Sequence, residues 1–294
     1  MSGPWHAAGI CREDVLYPTN RGRAGIIPLR PRSEPFALNP KYGNFGTTLF
    51  FSNSRQIKPG FSSLMSRQED ITRYYEHLAP EYDDNRFGNS YGQFIDRQER
   101  SYLNRMLAGY KLPAVLDMGC GTGRFLEFAG YGIDASQAMI DRARIKFPDR
   151  ILYLDDIRHT HFEDNSFDAI ICFHVIMHLD KQDTADFLKE SFRLLRPGGR
   201  LIFDFPSQHR RKRLGFHTTG WHGANGLRII DPRNMVAGFR PHSSQGVMFL
   251  PIHRFPGKIR KWVSGIDGLL CRSFLKKYAS YIMVTMVKHC PARQ

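Results

Sequence analysis

Several features that mark membrane, secreted or metal-binding proteins are absent from this 294-residue sequence. No stretch approaches the roughly 20 apolar residues that a membrane-spanning helix needs, and the first residues lack the apolar centre of a secretion signal. Cysteine is sparse and forms neither a Cys-x-x-Cys pair nor a regular framework. The five cysteines are Cys11, Cys120, Cys172, Cys271 and Cys290. We therefore predict free thiols, a reducing cytoplasmic environment and no metal site.

Acidic residues are scarce at both ends of the chain, although the middle is slightly acidic. Residues 206–294 hold 16 Lys and Arg against 2 Asp and Glu, residues 1–64 hold 8 against 3, and residues 65–205 hold 18 against 23. The net charge of +14 therefore lies outside the middle. A basic C-terminal part favours an anionic acceptor or surface, such as nucleic acid, a phosphorylated metabolite or acidic lipid headgroups. A solvated basic face without a partner is an equally good interpretation.

Regular periodicity is also missing from residues 1–64, which are rich in Pro, Gly, Arg, Ser and Asn. This composition predicts an irregular or disordered extension, followed by a folded domain at 65–294. Few acids and several arginines would also suit an organelle transit peptide, but no clear amphipathic helix accompanies them. We favour a biological start at Met65, because a well-patterned segment begins there.

The most informative stretch runs from Val115 to Gly123 and reads Val-Leu-Asp-Met-Gly-Cys-Gly-Thr-Gly. A short apolar strand turns there through three alternate glycines, which brings bare backbone N–H groups close to a ligand. The spacing Gly-x-Gly-x-Gly departs from the dinucleotide fingerprint, Gly-x-Gly-x-x-Gly. The next acid that closes a strand, Asp134, also follows sooner than in that fingerprint.

Three later stretches follow the glycine loop in a fixed order. They are Tyr-Gly-Ile-Asp-Ala-Ser at 131–136, Leu-Asp-Asp-Ile at 154–157 with Phe-Glu-Asp-Asn-Ser-Phe-Asp at 162–168, and Leu-Leu-Arg-Pro-Gly-Gly-Arg-Leu-Ile at 194–202. Together with the loop, they resemble the successive motifs of the class I S-adenosylmethionine-dependent methyltransferases. One glycine loop is a weak signal, whereas four stretches in order are a strong one.

The alternation of strands and helices after Pro113 predicts an α/β fold with a doubly wound parallel sheet. The resemblance implies the Rossmann-like, seven-stranded form of that sheet, whose last strand is antiparallel and lies between the fifth and sixth. The cofactor half would span about 113–205, with acceptor-side elements at 66–110 and 206–278. Strands are expected at 114–118, 130–134, 151–154, 168–173, 199–205, 246–250 and 281–287. Helices are expected at 66–78, 91–107, 123–129, 136–147, 181–195 and 257–276, with a short one opening at Asp231.

The resemblance also implies which residues bind S-adenosylmethionine. The backbone of Gly119, Cys120 and Gly121 would face the methionine and ribose parts, with Asp117 supporting the amine. Asp134 would accept hydrogen bonds from the ribose hydroxyls, a task that suits an ionised carboxylate. The other implied contacts are Ala135, Met139, Asp156, Ile157, Phe173 and Tyr82. Taken alone, Asp134 could instead cap the helix that opens at Ser136, and Asp156 could be an ordinary turn residue.

Two histidines are the candidate catalytic residues. His174 and His178 follow the fourth predicted strand, and ligands of open α/β sheets bind beyond the carboxyl ends of the strands. A neutral imidazole there could act as a general base, with His174 the first choice. Either histidine could instead only line the pocket. The acceptor should lie near Asp204 and a loop at 206–226 that contains His209, His217, Trp221 and His222.

Two absences restrict the acceptor that the resemblance implies. Neither Asn-Pro-Pro-Tyr nor Asp-Pro-Pro-Tyr follows the fourth strand, as it does in DNA enzymes that modify amino groups, and no Pro-Cys pair stands there, as in RNA cytosine-5 enzymes. We therefore expect a small-molecule acceptor, anionic or lipid-like, and O-methylation in a secondary-metabolite, glycan, quinone or lipid pathway. An RNA methyltransferase and a non-catalytic cofactor-binding partner protein remain the alternatives.

A basic amphipathic helix is predicted over 257–276. Basic residues stand among its apolar positions, which are Ile259, Trp262, Val263, Ile266, Leu269, Leu270 and Phe274. Such a helix can lie on an acidic membrane surface, which would give peripheral membrane contact. We favour the alternative that the apolar stripe faces the core, because amphipathic helices of soluble proteins usually do.

Overall fold

A computed structural model describes residues 67–215, 226–228 and 231–289, and they are organised around one seven-stranded sheet. The strands are β1 Val115–Met118, β2 Tyr131–Asp134, β3 Ile151–Leu154, β4 Phe167–Cys172, β5 Leu195–Pro206, β6 Phe239–Val247 and β7 Tyr281–Lys288. Their order across the sheet is β3-β2-β1-β4-β5-β7-β6. The first five strands pair in parallel, whereas β7 is antiparallel to both of its neighbours. The predicted fold class is confirmed.

The central strands are buried because helices cover both faces of the sheet. Every residue of β1 is buried, and β4 is buried except at Asp168. Strands of this kind read as continuous apolar runs rather than as alternating ones. Each fully buried Leu, Ile or Phe of this core contributes roughly 1.5–3 kcal/mol of hydrophobic stabilisation.

Eight α-helices lie within the described residues. They are α1 Arg67–Leu78, α2 Tyr82–Phe87, α3 Ser90–Met106, α4 Gln137–Lys146, α5 Lys181–Leu194, α6 Gln208–Arg213, α7 Asp231–Met235 and α8 Gly257–Arg272. Side chains cap the helices that begin near the site. Asn89, Ser136 and Asp180 each accept a hydrogen bond from a backbone N–H in the first turn of α3, α4 and α5. Each such cap typically stabilises a helix by about 1 kcal/mol.

Two predicted elements differ near the glycine loop and the acceptor side. The helix predicted at 123–129 is wrong, and a series of turns stands there. Gly121 and Gly123 have φ angles of 54° and 87°, which interrupt a right-handed helix before it can begin. The predicted loop at 206–226 is also partly wrong, because Ser207 caps α6 and accepts from the N–H of Arg210. His209 lies on that helix, whereas His217, Trp221 and His222 lie outside the described residues.

The boundaries of three later elements also differ from the prediction. The sixth strand begins at Phe239 rather than at 246, because its whole length pairs with β7. The fifth strand begins at Leu195, where it already pairs with β4. The helix predicted over 257–276 ends at Arg272, and a short 3-10 turn, Phe274–Tyr278, follows.

The orientation of α8 contradicts the favoured prediction. Most of its apolar stripe faces solvent instead of the core, with Trp262 and Leu269 largely exposed, whereas Val263 is half-buried and packs against the core. The buried face carries Asp267 and Cys271 instead. Asp267 accepts hydrogen bonds from the side chain of Gln98 and from the backbone N–H of Leu250, so a polar residue fixes the helix on the domain.

Two further predictions concern membrane-spanning helices and cysteines. Among the helices within 67–289 that the structure describes, none combines the length and apolarity needed to cross a bilayer. Cys120, Cys172 and Cys271 are free and buried, as predicted. The predicted extension at 1–64 and Cys11 and Cys290 lie outside the described residues.

Candidate functional site

A cavity of about 780 Å³, measured out to its open mouth, lies at the carboxyl ends of β1, β2 and β4. The residues just after each strand end, Gly119, Ala135 and Phe173, line it. This edge is where parallel α/β sheets bind ligands, because successive strand ends and loops diverge there. The wall also includes Met139, Asp156 and Ile157.

The glycine loop forms one wall and is fixed by backbone hydrogen bonds. The N–H groups of Gly119 and Cys120 both donate to the carbonyl oxygen of Ile133, at 2.8 and 2.9 Å. Gly119 has a φ of 77°, and a Cβ added to it would lie 2.5 Å from Cγ2 of Val175. Only glycine therefore allows the backbone this close to the next loop and to the cavity.

Asp134 links the end of β2 to the glycine loop. One carboxylate oxygen accepts from the N–H of Gly121 at 2.8 Å, and the other accepts from the N–H of Ser136 at 2.9 Å. Burial raises the pKa of Asp134, although these backbone hydrogen bonds act in the opposite direction. Asp134 is not the cap of α4, because the hydroxyl of Ser136 accepts from the N–H of Met139 and takes that role. The carboxylate faces the cavity.

Two residues predicted to serve the cofactor lie behind the cavity wall. Asp117 and Cys120 are both buried, and neither lines the cavity. Burial, with a further contribution from the charge of Asp134, raises the pKa of Asp117 to about 8. Burial likewise raises the pKa of the Cys120 thiol well above its ordinary value, which makes it a poor nucleophile.

Asp156 is held in place at the far side of the cavity by a guanidinium group. Nε of Arg158 lies 3.0 and 3.1 Å from the two carboxylate oxygens of Asp156, and a second nitrogen of Arg158 reaches Asp183 at 2.7 Å. Burial alone would raise the pKa of Asp156, but its bonds to Arg158 outweigh burial and lower it. Asp156 therefore presents an ionised, oriented carboxylate.

Helix α1 covers the cavity and is fixed to the loop after β4. The hydroxyl of Tyr75 lies 2.7 Å from Nε2 of His178, and the side chain of Arg67 donates to the backbone oxygen of His178 at 3.0 Å. Burial raises the pKa values of both Tyr75 and Tyr82, so both phenols stay neutral. The loop after β4 and α1 thus close over the cavity as one connected wall.

A second cavity of about 580 Å³ adjoins the first. Four side chains line both: Tyr75, Tyr82, His174 and His178. The rest of its wall is mainly aromatic and apolar, with one guanidinium group. These residues are Arg86, Phe87, Tyr91, Gly92, Ile95, Met177 and Tyr281.

His174 stands between the two cavities and is flanked by two buried carboxylates. Its Nε2 lies 2.9 Å from Oε1 of Glu99, and its Nδ1 lies 3.6 Å from Oδ2 of Asp204. Its backbone N–H donates to Oδ1 of Asp204 at 2.6 Å, and its φ is 61°. A non-glycine residue in this left-handed conformation stores of order 1–3 kcal/mol of strain, which usually occurs where position matters for function.

Glu99 is the site residue that sequence reasoning missed. It lies on α3 and its side chain is fully buried, with Oε2 2.5 Å from a guanidinium nitrogen of Arg124. That guanidinium also packs over the rings of Phe87 and Phe125. The sequence does indicate that Glu99 is buried, because it stands four residues after Ile95 and three before Tyr102, on the same face of α3.

The charges around His174 favour its protonated form. Burial would lower the pKa of His174, but the charges of Glu99 and Asp204 outweigh burial and raise it above 6.5. Burial raises the pKa of Asp204 to about 6, whereas the charges of Arg124 and His174 overcome burial and lower the pKa of Glu99. The two carboxylates thus face two cationic partners.

Within the described residues, one group of side chains could surround a metal ion, and it consists of Glu99, His174 and Asp204. Single ligand atoms of Glu99, His174 and Asp204 lie within 4.8 Å of one another. A protonated His174 and Arg124 already supply two positive charges against the two carboxylates. A divalent cation would have to enter beside that guanidinium, so the predicted absence of a metal stays our prediction.

The structure brings most of the predicted site residues together. The predicted residues that line the first cavity are Tyr82, Gly119, Gly121, Asp134, Ala135, Met139, Asp156, Ile157, Phe173, His174 and His178. Asp117 and Cys120 stand behind it, and Asp204 contacts His174. The individual roles of these residues remain predictions.

Comparison with known proteins finds similarity to methyltransferases. Residues 116–203 match the family described as a methyltransferase domain. A probable S-adenosylmethionine-dependent methyltransferase of Mycolicibacterium smegmatis is 32% identical over 150 residues, which cover 45% of this chain and 54% of that protein. The demethylmenaquinone methyltransferase of Renibacterium salmoninarum is 29% identical over 147 residues, which cover 48% of this chain and 60% of that protein. This chain thus spans about half the length of the curated relatives it matches.

A solved structure extends the likeness of the fold beyond the matched segment. The magnesium protoporphyrin IX methyltransferase of Synechocystis, crystallised with S-adenosylhomocysteine, has a TM-score of 0.53 to this chain at 17% identity. The superposition covers 76% of this chain and 100% of that chain. At this identity, the comparison supports the fold alone.

Proposed function

We propose that this chain is a class I S-adenosylmethionine-dependent methyltransferase that transfers the methyl group to an oxygen atom of a small molecule, which the similarity to known methyltransferases supports. The first cavity fits the cofactor. The close backbone at Gly119 leaves no room for a Cβ, and Asp134 faces the cavity at the end of β2. The carboxylate of Asp134 is oriented by the backbone N–H groups of Gly121 and Ser136, and a ribose hydroxyl in the cavity would donate to it. Asp156 would accept from the adenine amino group.

One observation carries the proposal: the two cavities share the four side chains of Tyr75, Tyr82, His174 and His178. The cofactor supplies an electrophilic methyl group on a positively charged sulfur. An acceptor in the second cavity would lie next to that group, and α1 limits the access of water. Holding two reactants in such a geometry can lower the barrier of a displacement by about 7–11 kcal/mol.

His174 is the residue that would remove the proton from an acceptor hydroxyl. Its Nε2 lies 2.9 Å from Oε1 of Glu99, whereas its Nδ1 lies 3.6 Å from Oδ2 of Asp204, beyond hydrogen-bond length, so we assign the proton exchange with the acceptor to Nδ1. Asp204 orients the residue through its backbone N–H, and both carboxylates stabilise the imidazolium that forms. The neighbouring carboxylates raise the pKa of His174, which strengthens the imidazole as a proton acceptor.

The second cavity favours an aromatic or lipid-like acceptor over a glycan. Its wall combines rings and apolar side chains, such as Phe87, Ile95 and Met177, with the guanidinium of Arg86. Rings and methyl groups bind flat, apolar molecules, and a guanidinium binds an anionic substituent. A phenol or quinol that also carries an acidic group fits both features. The resemblance to a demethylmenaquinone methyltransferase is in keeping with this class.

The donor site is tested first by calorimetric titration with S-adenosylhomocysteine. Wild-type protein should bind it with micromolar affinity, and Asp134→Ala should bind at least tenfold more weakly. Asp141→Ala is the matched control, because Asp141 is an exposed aspartate on α4. A folded wild type that fails to bind would contradict the proposal at its first step.

The acceptor is tested with isotope-labelled S-adenosylmethionine and a panel of phenols, quinols, fatty acids, sugars and RNA. Label should enter a hydroxylated aromatic or lipid-like compound, and its methyl ether should be inert. Labelling of RNA, with binding that weakens steeply with salt, would replace the small-molecule proposal. Tight cofactor binding without turnover on any acceptor would favour a non-catalytic partner protein.

A further inference from the structure

Helix α8 presents an apolar face to solvent. Trp262 is 79% exposed, Leu269 71%, Ile266 53% and Ile259 43%. Spacings of three and four residues place these side chains on one face of the helix. Phe274, two residues after the helix ends, is 81% exposed. We call these five residues the α8 apolar face. A contiguous apolar surface of this kind usually marks an interaction site.

The outward orientation is fixed by the opposite side of the helix. Asp267 is fully buried and accepts from Gln98 at 2.8 Å and from the N–H of Leu250 at 2.7 Å. Arg260 donates to the backbone oxygens of Phe255 and His253 at 2.7 and 3.0 Å. A rotation of α8 that buried Trp262 would expose the apolar neighbours of Asp267 and break these hydrogen bonds. The exposed face is therefore a property of the folded domain.

The charges beside this face are all positive. Residues 257–277 contain six basic residues and one acidic residue, and that acid is the buried Asp267. Lys258, Lys261 and Arg272 are exposed. Their spacings of 3 and 11 residues place them along one flank of the apolar face. A long basic side chain in that position can keep its charge at the headgroups while apolar neighbours enter the bilayer.

We propose that the α8 apolar face and its basic flank dock the protein onto a membrane surface rich in acidic phospholipid. Charge complementarity selects this occupant, because the exposed charges of the helix carry one sign only. Tryptophan and phenylalanine favour the region between headgroups and acyl chains, and an amphipathic helix that lies in this plane does not cross the bilayer. The 16-residue length of α8 agrees with this arrangement.

The docking surface is connected to the second cavity through few contacts. Arg260 of α8 holds the backbone of His253, whose ring packs at 5.0 Å on Tyr91, and Tyr91 lines that cavity. Membrane docking does not depend on the proposed methyl transfer. If both hold, the acceptor cavity lies within two side chains of the docked helix, and a lipid-like acceptor could reach it from the membrane.

Co-sedimentation of the full chain with vesicles tests the proposal. Wild type should bind vesicles of phosphatidylcholine with 30% phosphatidylglycerol at least tenfold more tightly than vesicles of phosphatidylcholine alone. The double variant Trp262→Ser/Leu269→Ser should lose most of this binding. Ile145→Ser is the control, because Ile145 is 76% exposed on α4, far from α8 in sequence.

A charge variant separates acidic lipid from plain hydrophobic adsorption. Lys258→Glu/Lys261→Glu should remove the preference for acidic vesicles, since each basic residue near such a surface contributes about a fivefold gain in affinity. Binding of S-adenosylhomocysteine should be unchanged in all of these variants, which shows that they fold and separates this test from the proposed activity. The proposal is overturned if wild type ignores acidic vesicles, or if the double variant binds them as well as wild type does. Self-association that the double variant abolishes, without vesicle binding, would assign the face to a second copy of the chain.

Discussion

His174 combines three properties that rarely coincide in one residue: a left-handed backbone, two carboxylate neighbours and contact with two cavities. The backbone conformation aims the ring back at Glu99 and Asp204 instead of along the chain. Because burial opposes the imidazolium and the carboxylates favour it, the pKa of His174 is the balance of large opposing contributions. Substitutions nearby should therefore change the pH dependence of the reaction before they change the fold.

The first prediction follows from that balance. Wild-type kcat should rise with pH, with a midpoint above 6.5, because only the neutral imidazole accepts a proton and its pKa is raised. His174→Gln should lower kcat by about 10²–10⁴ and abolish this rise. The measurement is the pH profile of kcat between pH 5.5 and 9, with the exposed His242→Gln as control. A rise that persists in His174→Gln would assign the base to another group.

Asp117 supports a prediction about stability. Its folded-state pKa of about 8 lies above the ordinary 3.8, so between these values the folded state binds more protons than the unfolded state. The contribution of Asp117 to stability should therefore be lost as pH rises from about 4 to 8, by at most about 1.4 kcal/mol per pH unit. Asp117→Asn should flatten this loss in urea titrations at pH 4.5, 6 and 7.5. An unchanged slope, equal to that of the exposed variant Asp141→Asn, would show that Asp117 is solvated or paired in solution.

Among the elements, α1 decides how tightly the cofactor cavity closes. The hydrogen bond between Tyr75 and His178 joins α1 to the loop after β4. Tyr75→Phe should weaken S-adenosylhomocysteine binding by about 2–12-fold, the effect of one net hydrogen bond. Calorimetry measures this change, and Tyr74→Phe serves as the control on the same helix, since Tyr74 does not line the cavity. In a cycle with His178→Gln, additive losses would show that the two side chains do not act together.

The elements also show what a sequence can and cannot predict. The donor half was predictable because glycine spacing, strand-end acids and their order reflect one local backbone geometry. The orientation of α8 was not, because periodicity defines an apolar face without saying which way that face points. Here a single buried acid, Asp267, decides the orientation through partners such as Gln98, which is 169 positions away.

Some residues of the site could also be predicted from the sequence, and others could not. Asp134 ends a strand and Gly119 and Asp156 follow strand ends, so their convergence could be expected from a parallel sheet. Glu99 could not be placed, because it lies on a helix that precedes the sheet and reaches His174 only through tertiary packing. The helix predicted at 123–129 failed for a local reason, since Gly121 and Gly123 adopt positive φ angles that helix propensity does not register.

At the scale of the whole molecule, cofactor binding should be visible as stabilisation. S-adenosylhomocysteine at about 100 times its Kd should stabilise the folded chain by about 2.7 kcal/mol, provided it binds only that state. For a domain of this size, the expected rise in Tm is several degrees Celsius. Thermal unfolding followed by circular dichroism measures it, and Asp134→Ala should show little of the rise. An equal rise in Asp134→Ala would indicate that the ligand binds elsewhere.

Charge is also distributed at this scale in a way that suits a catalyst working beside a surface. The sixteen basic residues of 206–294 lie in the part of the chain that carries α8, whereas the cofactor motifs lie in the slightly acidic middle. Screening by salt should therefore reduce membrane docking strongly and cofactor binding only slightly.

The place of β7 in the sheet has a consequence for how the protein is made. β7 follows β6 along the chain, yet it lies between β5 and β6 and pairs with both. While a ribosome is still synthesising residues 281–288, β5 ends in an open edge and β6 has no strand to pair with. Open edges invite pairing with other chains, so the emerging polypeptide is most vulnerable to aggregation just before its sheet closes. Strands β5, β6 and β7 thus come together only when β7 has left the ribosome, however early the rest of the sheet has folded.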